Sequence, residues 1–381
     1  MDADKYCLSE AEHQATFDQD IKSDLFAGAK PSNRPIAVIF GGQPGAGKSA
    51  AVAAATLDLE PHGGAIQIIG DDLRGYHPQY ARLMEADDRT AAFYTDRDSG
   101  KWIEMAIAEA KARRVNIVIE GTMRDSNKVG ETMKSLRAAG YKIDARALAV
   151  SELFSQQGIM QRYEEQKADR GTARMTTPEA HKAAFDGMPG TLERIERDKL
   201  ADQVSIYRRG AEAIYSNELQ TGEWVKEPKA REILEAERSR PMTLQERRSY
   251  VEGFERLAKL LMRPERQAST TDIKIMNDLR LHAKLLDSSA EFRDGWVRVV
   301  REKGFALDEV DPSKGDYRGP ILDMDDDFAV QKISRNTCII HQISDLDGRP
   351  TENNPTLRIQ YKNGRGHVGD LQPDHSPQMG R

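Results

Sequence analysis

Short apolar runs alternate with helix-like stretches along the first 150 residues of the chain. Four of these runs, IAVIFGG, AIQIIG, VNIVIEG and YKIDARALAV, have the length and the β-branched content of buried parallel strands. Stretches of helix-forming composition, such as SAAVAAATLDLE, separate them. Strands that alternate with helices predict a parallel sheet with helices on both faces. A helical lead-in is predicted within residues 1–35, and mainly helical structure is predicted at 152–220.

The pattern changes beyond about residue 226, where charged residues become frequent. The segment TLQERRSYVEGFERLAKLLM has apolar residues at helical spacing, and Thr243 and Glu246 at its start match a capping box. This segment therefore predicts an amphipathic helix, and another helix is expected at about 271–291.

From about residue 305 the chain becomes glycine-rich and β-like. Apolar residues alternate with polar ones in TLRIQYKNGRGHV, and its Asn363-Gly364 pair is typical of a hairpin turn. We expect an α/β chain with a small β-rich domain after the parallel sheet. The predicted parts are a sheet-containing domain at 1–225, a helical charged linker at 226–300, the β-rich domain at 301–370 and a disordered tail at 371–381.

Composition narrows the classes of function. The 381 residues carry a net charge of -6 with a pI near 5.9, which excludes a global basic field for holding nucleic acid. The two cysteines, Cys7 and Cys338, form no metal-binding or redox pattern. No run approaches the roughly 18 apolar residues of a membrane span, and the acidic N-terminus is not a signal peptide. We expect a cytoplasmic protein without membrane contact, although the role of a secreted effector stays open.

The segment after the first apolar run fits the phosphate-binding pattern G-x-x-x-x-G-K-[ST]. Its glycines let backbone N–H groups wrap a triphosphate, and the following helix points its positive end at the phosphates. Lys48 could then reach the β- and γ-phosphates, and the Ser49 hydroxyl could ligate magnesium. The predicted nucleotide-binding residues are Gly42, Gln43, Pro44, Gly45, Ala46, Gly47, Lys48 and Ser49.

Carboxylates follow the next two predicted strands. Asp71 and Asp72 come after AIQIIG, and Glu120 comes after VNIVI. Because ligands of open α/β sheets bind at the carboxyl ends of the strands, these side chains should face the phosphate site. One carboxylate could accept a proton from an attacking hydroxyl. Arg162 and Arg174 are candidates for stabilising the charge of a migrating phosphate.

Taken together, the motifs resemble those of zeta toxins, the kinase halves of toxin–antitoxin systems. GGQPGAGKS, GDDLRGYHP, IEGTMR, QRYEE and TARMTTPEAH occur in the order found in that family, and the resemblance covers about residues 8–220. The two motifs G-D-D-L-R…H-P and E-G-T-x-R are more specific for this family than the P-loop motif is. The resemblance implies a P-loop kinase-type parallel sheet.

The resemblance also implies roles for individual residues. ATP and Mg²⁺ would be held at Lys48 and Ser49, with Asp71 as the base that activates the acceptor hydroxyl. The family's acceptor is UDP-N-acetylglucosamine, phosphorylated at the 3′-hydroxyl of the amino sugar, and a separate antitoxin protein is expected. Because this chain has two adjacent aspartates, whether Asp71 or Asp72 is the base stays open. The acceptor would be lined by Glu104, Glu120, Thr122 and Arg124, and the ATP phosphates would be clamped by Arg162 and Arg174.

Residues 315–368 resemble a module called KfrB, which occurs in plasmid- and conjugation-associated proteins. GDYRGPI, AVQKISRNTCIIHQISDL and LRIQYKNGRG carry this resemblance. Nucleic acid or a plasmid protein could contact Arg335, Arg358, Lys362 and Arg365 in this module. Two alternatives to the toxin kinase stay open. One is a P-loop kinase that acts on another nucleotide-like metabolite, and the other is a plasmid maintenance or conjugation factor that uses ATP as a switch.

Overall fold

The computed structural model describes residues 2, 4–210, 212–286, 289–352, 354 and 357–370. The chain divides into two compact units, Met1–Leu285 and Leu286–Arg381. The domain boundaries predicted at residues 225 and 300 stay predictions. The disordered tail predicted at 371–381 lies outside the described residues. No helix in the described part of the chain has the length and apolar character that a membrane crossing requires.

A seven-stranded sheet forms the centre of the first unit, in the order β2-β3-β1-β4-β5-β6-β7. The first five strands in this order pair in parallel, and β6 and β7 are antiparallel additions at one edge. The strands are β1 Ile36–Gly41, β2 Ile66–Ile69, β3 Ile117–Gly121, β4 Lys142–Ala149, β5 Gln203–Arg208, β6 Ala213–Gln220 and β7 Glu223–Trp224.

Helices cover this sheet and continue beyond it. A π-helical stretch, Phe17–Ile21, joins the first two helices of the chain. The helices of the first unit are α1 Glu10–Thr16, α2 Lys22–Leu25, α3 Lys48–Asp58, α4 Gly70–Leu73, α5 Tyr80–Asp87, α6 Ala91–Arg113, α7 Ser126–Ala138, α8 Glu152–Arg170, α9 Pro178–Arg197, α10 Ala230–Ser239, α11 Leu244–Leu261 and α12 Thr270–Leu286.

The central strand β1 is buried on both of its faces. Ala37 and Ile39 belong to the hydrophobic cluster on one side of the sheet, and Val38 and Phe40 belong to the cluster on the other side. Successive side chains of a strand point to opposite faces, so a continuous apolar run fits a sheet that is covered twice. The predicted α/β fold with a parallel sheet is confirmed.

One prediction about this unit is wrong. The mainly helical structure predicted at 152–220 holds for α8 and α9, but residues 203–220 form β5 and β6. Val204 and Ile206 are fully buried and alternate with polar residues, which is the period of a strand. Asp144 pairs with Gln203, so β5 extends the parallel sheet beyond β4 and removes an exposed edge.

The second unit is small and β-rich, as predicted. Its strands form two sheets, in the orders β10-β11-β12-β8 and β14-β13-β9. The predicted hairpin is confirmed, because Asn363 and Gly364 both have positive φ between β13 and β14. The elements are α13 Ser289–Glu302, β8 Ala306–Asp308, β9 Asp316–Arg318, β10 Ile321–Met324, β11 Phe328–Lys332, β12 Thr337–Gln342, β13 Leu357–Lys362 and β14 Arg365–Asp370.

Two polar side chains of this unit are engaged inside the unit. His341 is fully buried, and its ring nitrogens contact the Tyr361 hydroxyl at 3.1 Å and the Gln331 amide oxygen at 2.9 Å. Burial lowers the pKa of His341 to about 4, so the ring is neutral near pH 7. Arg358 donates two hydrogen bonds of 2.7 Å to Asp316, which lowers its availability for an outside partner. Contact of this unit with nucleic acid stays a prediction.

Candidate active site

The loop after β1 is held in a phosphate-binding shape by two glycines and by α8. Gly45 has φ +78° and Gly47 has φ +85°, which only glycine adopts without strain. A Cβ atom at Gly45 would also overlap the backbone carbonyl of Ser155 in α8. The loop ends where α3 begins at Lys48, so its backbone N–H groups and the positive end of α3 face the same space.

Lys48 extends across this loop toward β3. Its ammonium group donates to the backbone carbonyls of Gly42 at 2.8 Å and Gln43 at 3.2 Å, and it lies 3.7 Å from the Glu120 carboxylate. Burial lowers the pKa of Lys48 and raises the pKa of Glu120, while each charge opposes the shift of the other. The pair places a cation and a carboxylate at the carboxyl ends of β1 and β3.

Asp71, at the start of α4 just after β2, is paired with two arginines. Arg174 donates to one of its carboxylate oxygens, and the Arg74 guanidinium lies 3.4 Å from the other. Partial burial alone would raise the pKa of Asp71, but the charges of Arg174, Arg74 and Arg162 hold it below its usual range. Asp71 is therefore ionised at neutral pH.

Its neighbour Asp72 has a different environment. The Asp72 side chain is exposed and does not line the cleft that contains Asp71. Partial desolvation of its carboxyl group by neighbouring atoms and the charge of Asp71 raise the pKa of Asp72. Of the two candidates that the sequence leaves open, only Asp71 faces the P-loop lysine and the arginines.

The loop after β3 carries two of the residues predicted to bind the acceptor, Thr122 and Arg124, and its backbone is held by contacts with α9. Met123 is buried with φ +51°, and its carbonyl accepts a 2.6 Å hydrogen bond from Thr191 of α9. A Cβ atom at Gly187 of α9 would overlap the Arg124 carbonyl, so this helix packs closely on the loop. Thr122 and Arg124, on either side of Met123, face the cleft.

A single cleft of about 570 Å³ collects the predicted side chains. It lies between the P-loop, α4, α6, the loop after β3 and the segment that joins α8 to α9. Ser49 is exposed in the first turn of α3 and does not line this cleft. The other predicted nucleotide-binding residues that do not line it are Gly42, Gln43, Gly45, Ala46 and Gly47. The predicted residues that line the cleft are Pro44, Lys48, Asp71, Glu104, Glu120, Thr122, Arg124, Arg162 and Arg174.

The predicted residues differ in how firmly they are held. The Arg162 guanidinium donates to Thr176 at 3.0 Å, and its buried Nε atom has no hydrogen-bond partner among the described residues. Arg124 is 51% exposed and lies 3.8 Å from the Asp96 carboxylate. Glu104 is an exposed residue of α6.

Sequence reasoning did not single out Arg74, which organises one wall of the cleft. Arg74 is buried and donates to the Ala92 carbonyl at 2.8 Å, to the Asp96 carboxylate at 2.6 Å and to Thr95 at 3.2 Å. It also contacts Asp71, as described above. Its position three residues after Asp71, one helical turn away, was the signal that could have identified it.

The donor set fits a nucleotide with a magnesium ion. A Cβ atom at Gly47 would meet only the Arg209 side chain, at 3.9 Å, so the cradle beside α3 has room for a ligand. Among the described residues, no group of three or more histidine, cysteine, aspartate or glutamate side chains is arranged so that it could hold a metal ion. A magnesium ion would therefore need phosphate oxygens or water besides Ser49, as P-loop sites provide.

Two family models and several known toxins match parts of this chain. The sequence model of the family described as Zeta toxin matches residues 21–220, and the model described as KfrB Domain matches residues 316–370. Toxin zeta of Enterococcus hirae is 31% identical over 199 residues, which cover 52% of this chain and 69% of that protein. Toxin PezT of Streptococcus pneumoniae is 28% identical over 222 residues, 58% of this chain and 86% of that protein.

A solved structure shows the same resemblance in three dimensions. The structure of the PezAT chromosomal toxin–antitoxin system of Streptococcus pneumoniae aligns with a TM-score of 0.57 and 25% sequence identity. The alignment covers 68% of this chain and 100% of that chain. This share is larger than the stretch 21–220, so the structural similarity is not confined to the residues that the family model matches.

Proposed function

Because the chain belongs to the zeta toxin family, we propose that it is a phosphotransferase that uses ATP to phosphorylate a nucleotide-activated amino sugar. The proposed acceptor is UDP-N-acetylglucosamine, and the proposed acceptor group is the 3′-hydroxyl of its amino sugar. The observation that carries this proposal is the cleft that Lys48, Asp71 and Arg174 share.

The proposed donor side of the cleft is the P-loop and its cations. The backbone N–H groups of the loop and the start of α3 bind the ATP phosphates. Lys48, which now rests on the Gly42 and Gln43 carbonyls, turns to the β- and γ-phosphates. Arg162 and Arg174 neutralise the charge that spreads over the transferred phosphoryl group. A magnesium ion at Ser49 would neutralise the β- and γ-phosphate charges.

Asp71 is the proposed base on the acceptor side. Its carboxylate is ionised at neutral pH and lines the cleft, so it can accept the proton of a sugar hydroxyl. The hydroxyl oxygen then bonds to the γ-phosphorus while the bond from that phosphorus to the β,γ-bridging oxygen breaks, and ADP leaves. Arg174 is paired with Asp71, and in the proposed reaction it exchanges this contact for the transferred phosphoryl group.

The remaining cleft residues suit a polar acceptor with a diphosphate. Glu104 and Glu120 can accept hydrogen bonds from sugar and nucleoside hydroxyls, and the Thr122 hydroxyl can donate one. Arg124 offers a cation for the diphosphate. The relatives are named as toxins, and the PezAT structure is that of a toxin–antitoxin system. We extend this arrangement to the present chain and propose that a separate antitoxin protein controls it.

ADP release by the full chain tests this proposal. With ATP and magnesium present, we expect rapid release only after UDP-N-acetylglucosamine is added, and phosphorus NMR should show a new phosphomonoester at the 3′ position. Lys48→Ala should abolish release. Lys182→Ala is the matched control, because Lys182 is 74% exposed on α9 and pairs only with Asp186 among the described residues.

Two outcomes would contradict parts of the proposal. ADP release that does not depend on any acceptor would indicate an ATPase or an ATP-driven switch instead of a kinase. ADP release that responds to another UDP-sugar or nucleotide, and not to UDP-N-acetylglucosamine, would support the kinase activity and contradict the proposed acceptor.

A further inference from the structure

Helix α10 reaches the P-loop through one arginine. Arg238 donates to the Gln43 side-chain oxygen at 2.9 Å and to the Phe185 carbonyl at 2.8 Å, and its guanidinium lies 4.1 Å from the centre of the Phe185 ring. Gln43 is 195 positions away in the sequence. Arg238 lies beyond the residues 21–220 that the family model matches, so that match alone assigns it no role.

The Gln43 side chain is fully buried and gives the P-loop three anchors. Besides accepting from Arg238, its amide donates to the Val150 carbonyl at 2.8 Å and to the Ser155 hydroxyl at 3.3 Å. Ser155 in turn lies 2.8 Å from the His181 ring nitrogen. One residue of the loop is thereby tied to the end of β4, to α8 and to α10.

These contacts form a closed ring that includes one residue of the loop, Gln43. The His181 ring stacks on Phe185 at 6.2 Å, and Phe185 contacts Arg238, which returns to Gln43. His181 and Phe185 both lie on α9, the helix that follows the segment with Arg174. The ring therefore joins the P-loop to the two helices, α8 and α9, that flank the phosphate-clamping arginine.

Burial of the charged Arg238 guanidinium is unfavourable for the free energy of folding. It is 8% exposed, its Nε atom has no hydrogen-bond partner among the described residues, and its other two nitrogens donate to neutral oxygens. Burial lowers the pKa of Arg238 to about 10, so it stays protonated at neutral pH. The charges of Glu235 and Asp186 only partly oppose the effect of burial on its pKa. A buried cation that contacts only neutral oxygens recovers less of its lost hydration than an ion-paired one, so stability alone does not account for Arg238 at this position.

We propose that Arg238 is a positioning residue that sets the conformation of the P-loop through Gln43, and that α10 is therefore part of the nucleotide site. The inference rests on the proposed function for its ligand, ATP. Binding of a triphosphate requires several backbone N–H groups to point inward together, and a loop that must reorder on binding loses affinity. Arg238 removes that cost by holding the loop before the nucleotide arrives.

Substitution of Arg238 by methionine is the direct test in the full chain. Methionine keeps an apolar stem over Phe185 and removes both hydrogen bonds. We expect ATP affinity, measured by calorimetry, to fall roughly ten- to a hundredfold. KM for the acceptor should change far less than KM for ATP. Arg231→Met is the matched control, because Arg231 lies on the same helix, is 48% exposed and pairs with Glu193 and Glu235.

A second variant tests whether Arg238 acts through Gln43. Gln43→Met should weaken ATP binding at least as much as Arg238→Met. The double variant should bind ATP as Gln43→Met alone does, because the shared hydrogen bond can be lost only once. Independent, multiplicative losses would overturn the proposal, as would an Arg238→Met chain that binds ATP like the control.

Amide hydrogen exchange separates this inference from the proposed function. Residues 42–48 should exchange faster in Arg238→Met than in Arg231→Met, whether or not the chain binds ATP. If the wild-type chain fails to bind ATP and this difference is present, the proposed function fails while the positioning role stands. Equal exchange of residues 42–48 in both variants overturns the positioning role.

Discussion

The side of the cleft next to the P-loop is built from largely buried, ion-paired side chains, whereas two side chains of the facing side, Arg124 and Glu104, are exposed. Lys48 is 10% exposed and Arg174 is 17% exposed, and each contacts a carboxylate. On the other side, Arg124 is 51% exposed with one distant partner, and Glu104 is exposed. Lys48 and Arg174 are thus held beside the phosphate site before binding and need only change partners there, while Arg124 and Glu104 are less constrained.

The difference indicates which side of the cleft determines turnover in the proposed enzyme and which side determines binding of the acceptor. Buried cations beside the transferred group lower the barrier because little water screens their charges there. Exposed side chains contribute less to binding, because solvent screens their charges. We therefore expect substitutions on the P-loop side to affect turnover strongly, and substitutions on the acceptor side to affect mainly the KM of the acceptor.

The largest effect is expected from Asp71, where the two sides meet. Asp71→Asn removes the proton acceptor but keeps the size of the side chain, and kcat should fall by roughly a hundred- to ten-thousandfold. ATP affinity should change little, because the phosphates are bound by the loop and the cations. Initial-rate kinetics and calorimetry give both numbers.

Asp72→Asn is the control for this prediction. Asp72 is adjacent in sequence, exposed and outside the cleft lining, so its substitution should alter kcat by no more than about threefold. A large loss in Asp72→Asn with a small loss in Asp71→Asn would reverse the assignment of the base.

Some of this arrangement can be predicted from sequence because its determinants are local. The P-loop follows one strand and opens one helix, and Asp71 and Glu120 end neighbouring parallel strands, so topology alone brings them together. The contact of Arg238 with Gln43 spans 195 positions and depends on how α10 packs, so no periodicity or motif indicates it. The strand at 203–208 was missed because a short apolar alternation does not by itself distinguish a strand from a helix.

An intermediate effect is expected from Arg174, which serves both sides. Arg174→Ala removes a cation from the phosphate, and kcat should fall roughly a hundredfold near neutral pH. It also removes the charge that opposes most strongly the rise of the Asp71 pKa on burial. The pKa of Asp71 should then rise, and its ionised fraction should decrease as the pH falls.

The pH profile separates these two roles of Arg174. Asp71 has a lowered pKa in the wild-type chain, so it stays ionised across the mildly acidic range and kcat should not fall there on its account. In Arg174→Ala the ratio of mutant to wild-type kcat should decrease further as the pH is lowered. Arg170→Ala, in which an arginine that is 73% exposed is removed from the end of α8, should follow the wild-type profile. A pH-independent ratio would mean that Arg174 does not tune Asp71.

The smallest effect is expected from Arg124, on the exposed side. Arg124→Ala should raise the KM of UDP-N-acetylglucosamine roughly tenfold and leave the KM of ATP unchanged, because a solvent-exposed cation contributes about one charge-assisted hydrogen bond to the diphosphate. Arg197→Ala, which removes a 64% exposed arginine of α9 that pairs with Asp198, is the matched control. A kcat loss in Arg124→Ala as large as that in Arg174→Ala would show that the exposed side is also organised for catalysis, and the contrast between the two sides would no longer hold.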